Sequence, residues 1–177
     1  TAMVKFSAAE LDADVNFLLE NLKNNHPRLY AYTPEDVFNN SVDLARQSIK
    51  DEMDVVEFFS LIAPLVTAVK CSHTAIRLPA DVQNSIEATS NYLPLKVLFE
   101  GNTAYCVDHF ESGSEPVPGR KIISINDVPI QKIRDQLYLF IASEGNNIST
   151  KNYQLNQKFN DYYNLIDNSP TYRVEYK

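Results

Sequence analysis

The run Val69-Lys70-Cys71-Ser72-His73-Thr74-Ala75-Ile76-Arg77-Leu78 gathers an imidazole, a thiol and two hydroxyls into four consecutive positions. Imidazole titrates near neutral pH, which makes His73 a candidate general base. Ser72 is a poor nucleophile for it, because neighbours on an extended segment point to opposite faces. A Cys71-His73 pair is a secondary alternative. No downstream segment looks like the seat of a nucleophile. The chain therefore reads as one part of a larger enzyme, supplying one catalytic group. The plain alternative is a histidine that hydrogen-bonds at the junction of two domains.

The remaining reactive residues carry less. His26, His73 and His109 have no metal-ligand spacing with each other or with Cys71 and Cys106, so neither a metal nor another cofactor is expected. His26 reads as structural, closing a first helix. Cys71 and Cys106 read as free thiols in preference to a disulfide. The four glycines form no phosphate-cradling pattern, which removes the main support for nucleotide binding. A formal net charge of -7 argues against nucleic acid and anionic membrane surfaces. The longest apolar run, Phe58 to Val69, is too short to span a bilayer. The start at Thr1 shows no signal peptide and reads as a processed or trimmed chain.

Apolar residues make up 44% of the 177 positions, enough to bury a real core. The first half reads as helices. Ser7 and Glu10 form a capping box, and Leu11, Val15, Leu18 and Leu22 follow at helical spacing. Pro27 disfavours helix at His26 and ends this element near Asn25. Thr33-Pro34-Glu35-Asp36 reads as a cap, a proline and two acids at a second helix start. Its stripe is Phe38, Val42, Ala45 and Ile49. Asp54 and Glu57 start a third helix, with Val55, Phe58, Phe59, Ile62, Val66 and Val69 inward and Pro64 expected to kink it or remove a hydrogen bond. Three such helices can bury each other's faces as a bundle. A short β-type run is expected after Thr74.

The pattern changes after Leu78. Ala80 to Asn91 is polar and without period, and reads as a linker. Leu93–Phe99 and Thr103–Val107 read as a hairpin around Glu100-Gly101-Asn102. Glu111 to Gly119 reads as a loop. Arg120–Ile125 reads as a strand, Asn126-Asp127 as a tight turn, and Gln131 to Ser143 as a helix with Ile133, Leu137 and Ile141 inward. A final helix, Lys151 to Ile166, is aromatic through Tyr153, Phe159, Tyr162 and Tyr163. Thr171 to Tyr176 reads as a closing strand. The expected fold class is α+β: a three-helix N-terminal domain over 1–78, a linker over 79–91 and a sheet-and-helix module over 92–177.

The run from Gly119 to Ile130, GRKIISINDVPI, resembles the PDZ signature G-D-x-I-x-x-I-N-G-x-x-[VI]. Arg120 stands where that family has Asp, and Asp127 where it has Gly. No carboxylate-binding loop of the G-[LI]-G-[FL] kind is present. The whole chain is similar to the N-terminal part of the serine peptidases related to the C-terminal processing (tail-specific) peptidases and the tricorn core, in their bacterial envelope branch. His26-Pro27-Arg28-Leu29-Tyr30 resembles that branch's H-P-x-L-Y. Cys71-Ser72-His73-Thr74 resembles [DC]-G-H-T, with Ser72 for Gly. Gly145-Asn146-Asn147 resembles D-G-x-N, with Glu144 for Asp.

The resemblance implies a Ser-His-Glu group in tricorn-like members, whose histidine maps onto His73, or a Ser-Lys pair in tail-specific members, where the corresponding histidine is not the base. It implies an unstructured polypeptide substrate and a nucleophile on a later α/β domain, missing here, so no peptidase activity is expected of this polypeptide alone. It also implies a periplasmic or envelope location. A self-sufficient PDZ-like peptide-binding module of the cell envelope is the alternative. A thiol enzyme built on Cys71 and His73 is a third.

Overall fold

The computed structural model describes residues 4–109 and 118–177. The expected loop between Glu111 and Gly119 lies, up to position 117, outside the described residues. The fold is α+β, and the chain divides into two units, one holding the residues up to Ala80 with Ala142–Asn146, the other Asp81–Ile141 with Asn147–Lys177.

The first unit is built on three helices. The helix α1 (Ala8–Asn25) starts at Ser7, whose hydroxyl accepts the Glu10 amide while the Glu10 carboxylate accepts the Ser7 amide. It ends where His26 turns extended ahead of Pro27. The second helix, α2 (Glu35–Gln47), begins on Pro34, which offers no side-chain cap. Thr33 does not cap it, contrary to the sequence reading; its hydroxyl donates 2.5 Å to the Ala68 carbonyl instead. The strands β1 (Lys5–Phe6) and β2 (Met53–Asp54) pair antiparallel. The third helix, α3 (Val55–Ala68), follows Asp54 and its reciprocal bond with Glu57. Pro64 sits inside α3 without ending it. Leu11, Val15, Phe38, Val42, Phe58 and Ile62 from the three helices share one core with Val69, just past the end of α3.

No strand forms over 74–79, where a β-type run was expected. The expected linker is also corrected: residues 80–89 form a helix, α4 (Ala80–Thr89). It buries no residue, so no apolar period marks it, and it is held by local bonds such as Gln83 to Glu87 at 3.1 Å.

The second unit is an antiparallel sheet with helices. The strands β3 (Leu95–Glu100), β4 (Thr103–His109), β5 (Lys121–Ile125) and β6 (Val128–Pro129) follow in order, and β7 (Val174–Tyr176) pairs with β5. Val97 lies opposite Cys106 and Phe99 opposite Ala104, all four buried. Asn126 and Asp127 turn β5 into β6 with φ of 48° and 63°, the left-handed geometry their side chains tolerate. The helix α5 (Ile130–Leu137) is shorter than expected, because a 3₁₀ turn replaces its end over Tyr138–Phe140. The final helix, α6 (Ile148–Tyr163), is capped by Asn147 and breaks helical geometry at Lys158. Leu155, Phe159 and Tyr163 of α6 join Ile122, Ile125, Ile133 and Leu137 in this unit's own core.

Candidate functional site

The site is assembled at the C-terminal end of α3. Val69 is buried and anchors the last turn, and Lys70 then takes a left-handed φ of 55° that throws the chain off the helix axis. The Thr74 amide donates 3.1 Å to the Cys71 carbonyl, closing a four-residue turn over Cys71-Ser72-His73-Thr74. Within that turn the Cys71 thiol and the His73 ring lie close together. Cys71 is half-buried, and Ser72 and His73 are exposed. The Ser72 hydroxyl lies 3.4 Å from Nδ1 of His73, so the opposite-face argument fails at this pair: the segment is a turn and not extended.

A second segment of the same unit completes the group. The Gly145 amide donates 2.8 Å to the Lys70 carbonyl, and Lys70 Nζ donates 2.9 Å to Asn146. These bonds place Glu144 beside the turn. Its carboxylate accepts the Ser72 amide at 3.3 Å, the Ser72 hydroxyl at 3.4 Å and the Tyr32 hydroxyl at 3.2 Å. Gly145 has φ of 55° and packs against the Tyr32 ring, where an added Cβ would lie 3.2 Å from Cε1. The Ser72 amide, then the Tyr32 hydroxyl, hold the Glu144 carboxyl below its ordinary pKa, and the neighbouring His73 adds to the effect.

Donor atoms of Cys71, His73 and Glu144 all lie within 4.8 Å of one another. The three sit on an open cleft of about 380 Å³ that is also lined by His26, Pro27, Arg28 and Tyr32. The His-Pro-Arg and Cys-Ser-His-Thr stretches, far apart in sequence, therefore meet in one cleft. His26 is also structural, as expected: its amide donates to Leu22 and its Nδ1 accepts the Arg28 amide at 3.3 Å. Among the described residues His73 has no hydrogen-bond partner besides Ser72. The ring is open and not sealed.

Chemically, an exposed imidazole beside a carboxylate can take up a proton, and the carboxylate stabilises the imidazolium that results. Sequence reasoning named Glu144 only as standing for Asp in the D-G-x-N resemblance and gave it no role, because its partner Ser72 lies 72 positions away. The signal was its place before Gly145 and the Asn147 cap. Cys71 and Cys106 are both free. Burial pushes the Cys106 thiol up, so it is a poor nucleophile.

A second cleft of about 340 Å³ lies in the other unit, between β3 and α6. There Asn156 accepts the Phe99 amide at 2.7 Å and donates to the Phe99 carbonyl at 3.0 Å. Asn160 donates to the carbonyls of Leu93 and Leu95. Two asparagine side chains thus occupy part of an edge that a further strand could otherwise use.

No protein-family model and no curated protein matches the sequence. Solved structures do. A crystal structure of a serine-to-alanine mutant of CPAF, a chlamydial serine protease, superposes with a TM-score of 0.60 over 96% of this chain at 15% identity. A crystal structure of mature CPAF gives 0.58 over the same share, also at 15% identity. The fold is similar to that of CPAF. This chain spans 31% and 34% of those two chains, so what it shares is the fold of about a third of a serine protease.

Among the described residues no helix is long and apolar enough to cross a membrane.

Proposed function

We propose that this chain is the N-terminal part of a serine endopeptidase of the C-terminal processing superfamily. In this reading it supplies His73 as general base and contributes polypeptide recognition. The observation that carries the proposal is the exposed His73 ring, beside Glu144 in an open cleft, in a fold similar to part of a serine protease.

His73 takes the proton from a serine hydroxyl supplied by a further segment of the protease, and later returns it to the leaving amine. Glu144 stabilises the imidazolium electrostatically and, through the Ser72 amide, positions the turn that bears the ring. In this reading Ser72, which contacts both His73 and Glu144, belongs to the turn, and the nucleophile is a serine of the further segment.

The second unit is read as PDZ-like and as the polypeptide-recognition module, with the substrate entering beside β3. The cleft of about 340 Å³ between β3 and α6 supports this reading. Asn156 and Asn160 already bond the β3 backbone at Leu93, Leu95 and Phe99, so a peptide would enter the cleft and not extend the sheet there. A bacterial periplasmic or envelope location belongs to the same proposal.

Labelling with a fluorophosphonate probe tests it. The 177-residue chain is expected to stay unlabelled. The complete protease is expected to label on a serine outside this chain. Labelling of the isolated chain overturns the assignment.

A further inference from the structure

We propose that Cys71, His73 and Glu144 form a binding site for a zinc-type divalent ion. The three residues offer one sulfur, one nitrogen and one oxygen donor, with their atoms within 4.8 Å of one another. Donors around tetrahedral zinc stand about 3.5 Å apart, given bond lengths of about 2.0–2.3 Å. The side chains therefore need to draw in by about one ångström, and the two exposed donors, His73 and Glu144, have room to move toward the half-buried Cys71.

The donor set selects the ion. Thiolate and imidazole favour zinc-type transition metals, and one carboxylate alone is too little for magnesium or calcium. Three protein ligands leave a fourth position open to water or to a ligand entering the cleft. The surroundings of the carboxylate fit the same role. The Ser72 amide and the Tyr32 hydroxyl hold Glu144 in place, as outer hydrogen bonds do around metal-bound carboxylates. The backbone pairing of Gly145 with Lys70 fixes the separation of the two segments that carry the donors.

The ion site stands on these donors and does not depend on the peptidase reading. Its consequence does rest on that reading: an ion on His73 takes up a ring nitrogen that the base needs, so binding would inhibit proton transfer.

Titration of the reduced chain with Co²⁺, followed by displacement with Zn²⁺, tests the site without any activity assay. One equivalent of Co²⁺ is expected to bind, with a thiolate-to-cobalt charge-transfer band that Zn²⁺ abolishes. Cys71→Ser is expected to remove the band. Cys71→Ser, His73→Ala and Glu144→Gln should each weaken Zn²⁺ at least about tenfold, since even outer-shell changes reach that scale. His26→Ala, in the same cleft but outside the donor set, should leave affinity within about twofold. Far-UV circular dichroism confirms that each variant is folded. Absence of the charge-transfer band, unchanged Zn²⁺ affinity in any of the three donor variants, or loss of binding in His26→Ala overturns the proposal. Binding reads the site alone, so its failure would leave the general-base role of His73 standing.

Discussion

Two carboxylates in this protein collect hydrogen bonds in similar numbers and to opposite ends. Asp167, in the second unit, accepts from Asn126, from the Tyr163 hydroxyl and from Ser169. Each of those groups also braces structure: Asn126 exchanges bonds with the Arg173 backbone, tying the β5–β6 turn to the lead-in of β7, and Tyr163 is buried in the core. That network is closed around its own members. Glu144, in the first unit, accepts three hydrogen bonds to the four of Asp167, but it is exposed and faces an imidazole with room beside it. A saturated, half-buried carboxylate holds a fold together, whereas an anchored carboxylate beside an open base can take part in chemistry.

Activity tests the contrast first. In the complete protease proposed above, His73→Ala is expected to lower kcat/KM about 10³-fold, within the range for loss of a general base. Asp167→Ala is expected to leave the activity of the folded fraction within a few-fold. Peptide hydrolysis corrected for folded protein measures both, and equal losses would erase the distinction.

Stability should show the reverse order. Asp167→Ala leaves the buried Tyr163 hydroxyl and Asn126 without their acceptor and is expected to destabilise by about 2 kcal/mol in urea unfolding. Glu144→Gln is expected to leave the unfolding midpoint unchanged within error, because the group is exposed to solvent. A larger loss from Glu144→Gln than from Asp167→Ala would reverse the assignment of roles.

Gly145→Ala probes the backbone that carries Glu144. The left-handed φ and the Tyr32 ring both oppose a Cβ there. A loss of about 1–2 kcal/mol is expected, with reduced activity in the complete protease as Glu144 shifts. A neutral result would mean that the segment bearing Glu144 is not held as described.

The smallest effect is the pH dependence of Asp167. Burial pushes its pKa up, but hydrogen bonds from Ser169, Asn126 and Tyr163 outweigh burial and hold it below its ordinary value. Its contribution is therefore full above the unfolded value, about 3.9, and lost as pH falls through the lower folded value. Asp167→Asn should flatten that acid limb in urea unfolding followed against pH. An unchanged limb would remove Asp167 from the set of stabilising carboxylates.

Much of the fold was legible because its elements announce themselves locally. The Ser7 and Asp54 capping boxes, the stripes of α1 to α3 and the alternation of β3 each reflect one periodic face against one core. The α4 helix escaped because it buries nothing and so leaves no period. Thr33 was misread because a hydroxyl before Pro34 looks like a cap, and only tertiary structure reveals the Ala68 carbonyl as its acceptor. At the candidate site, His73 stood out by its residue type. Glu144 did not, since its link to Ser72 runs through the Lys70–Gly145 backbone pairing, which no local pattern encodes.

Chemical rescue tests the role of His73 most directly. In the complete protease, His73→Ala should lose peptide hydrolysis and regain part of it, saturably, when free imidazole fills the open cleft. A His73→Ala variant that hydrolyses peptide at the wild-type rate without added imidazole would contradict the claim that this ring is the base.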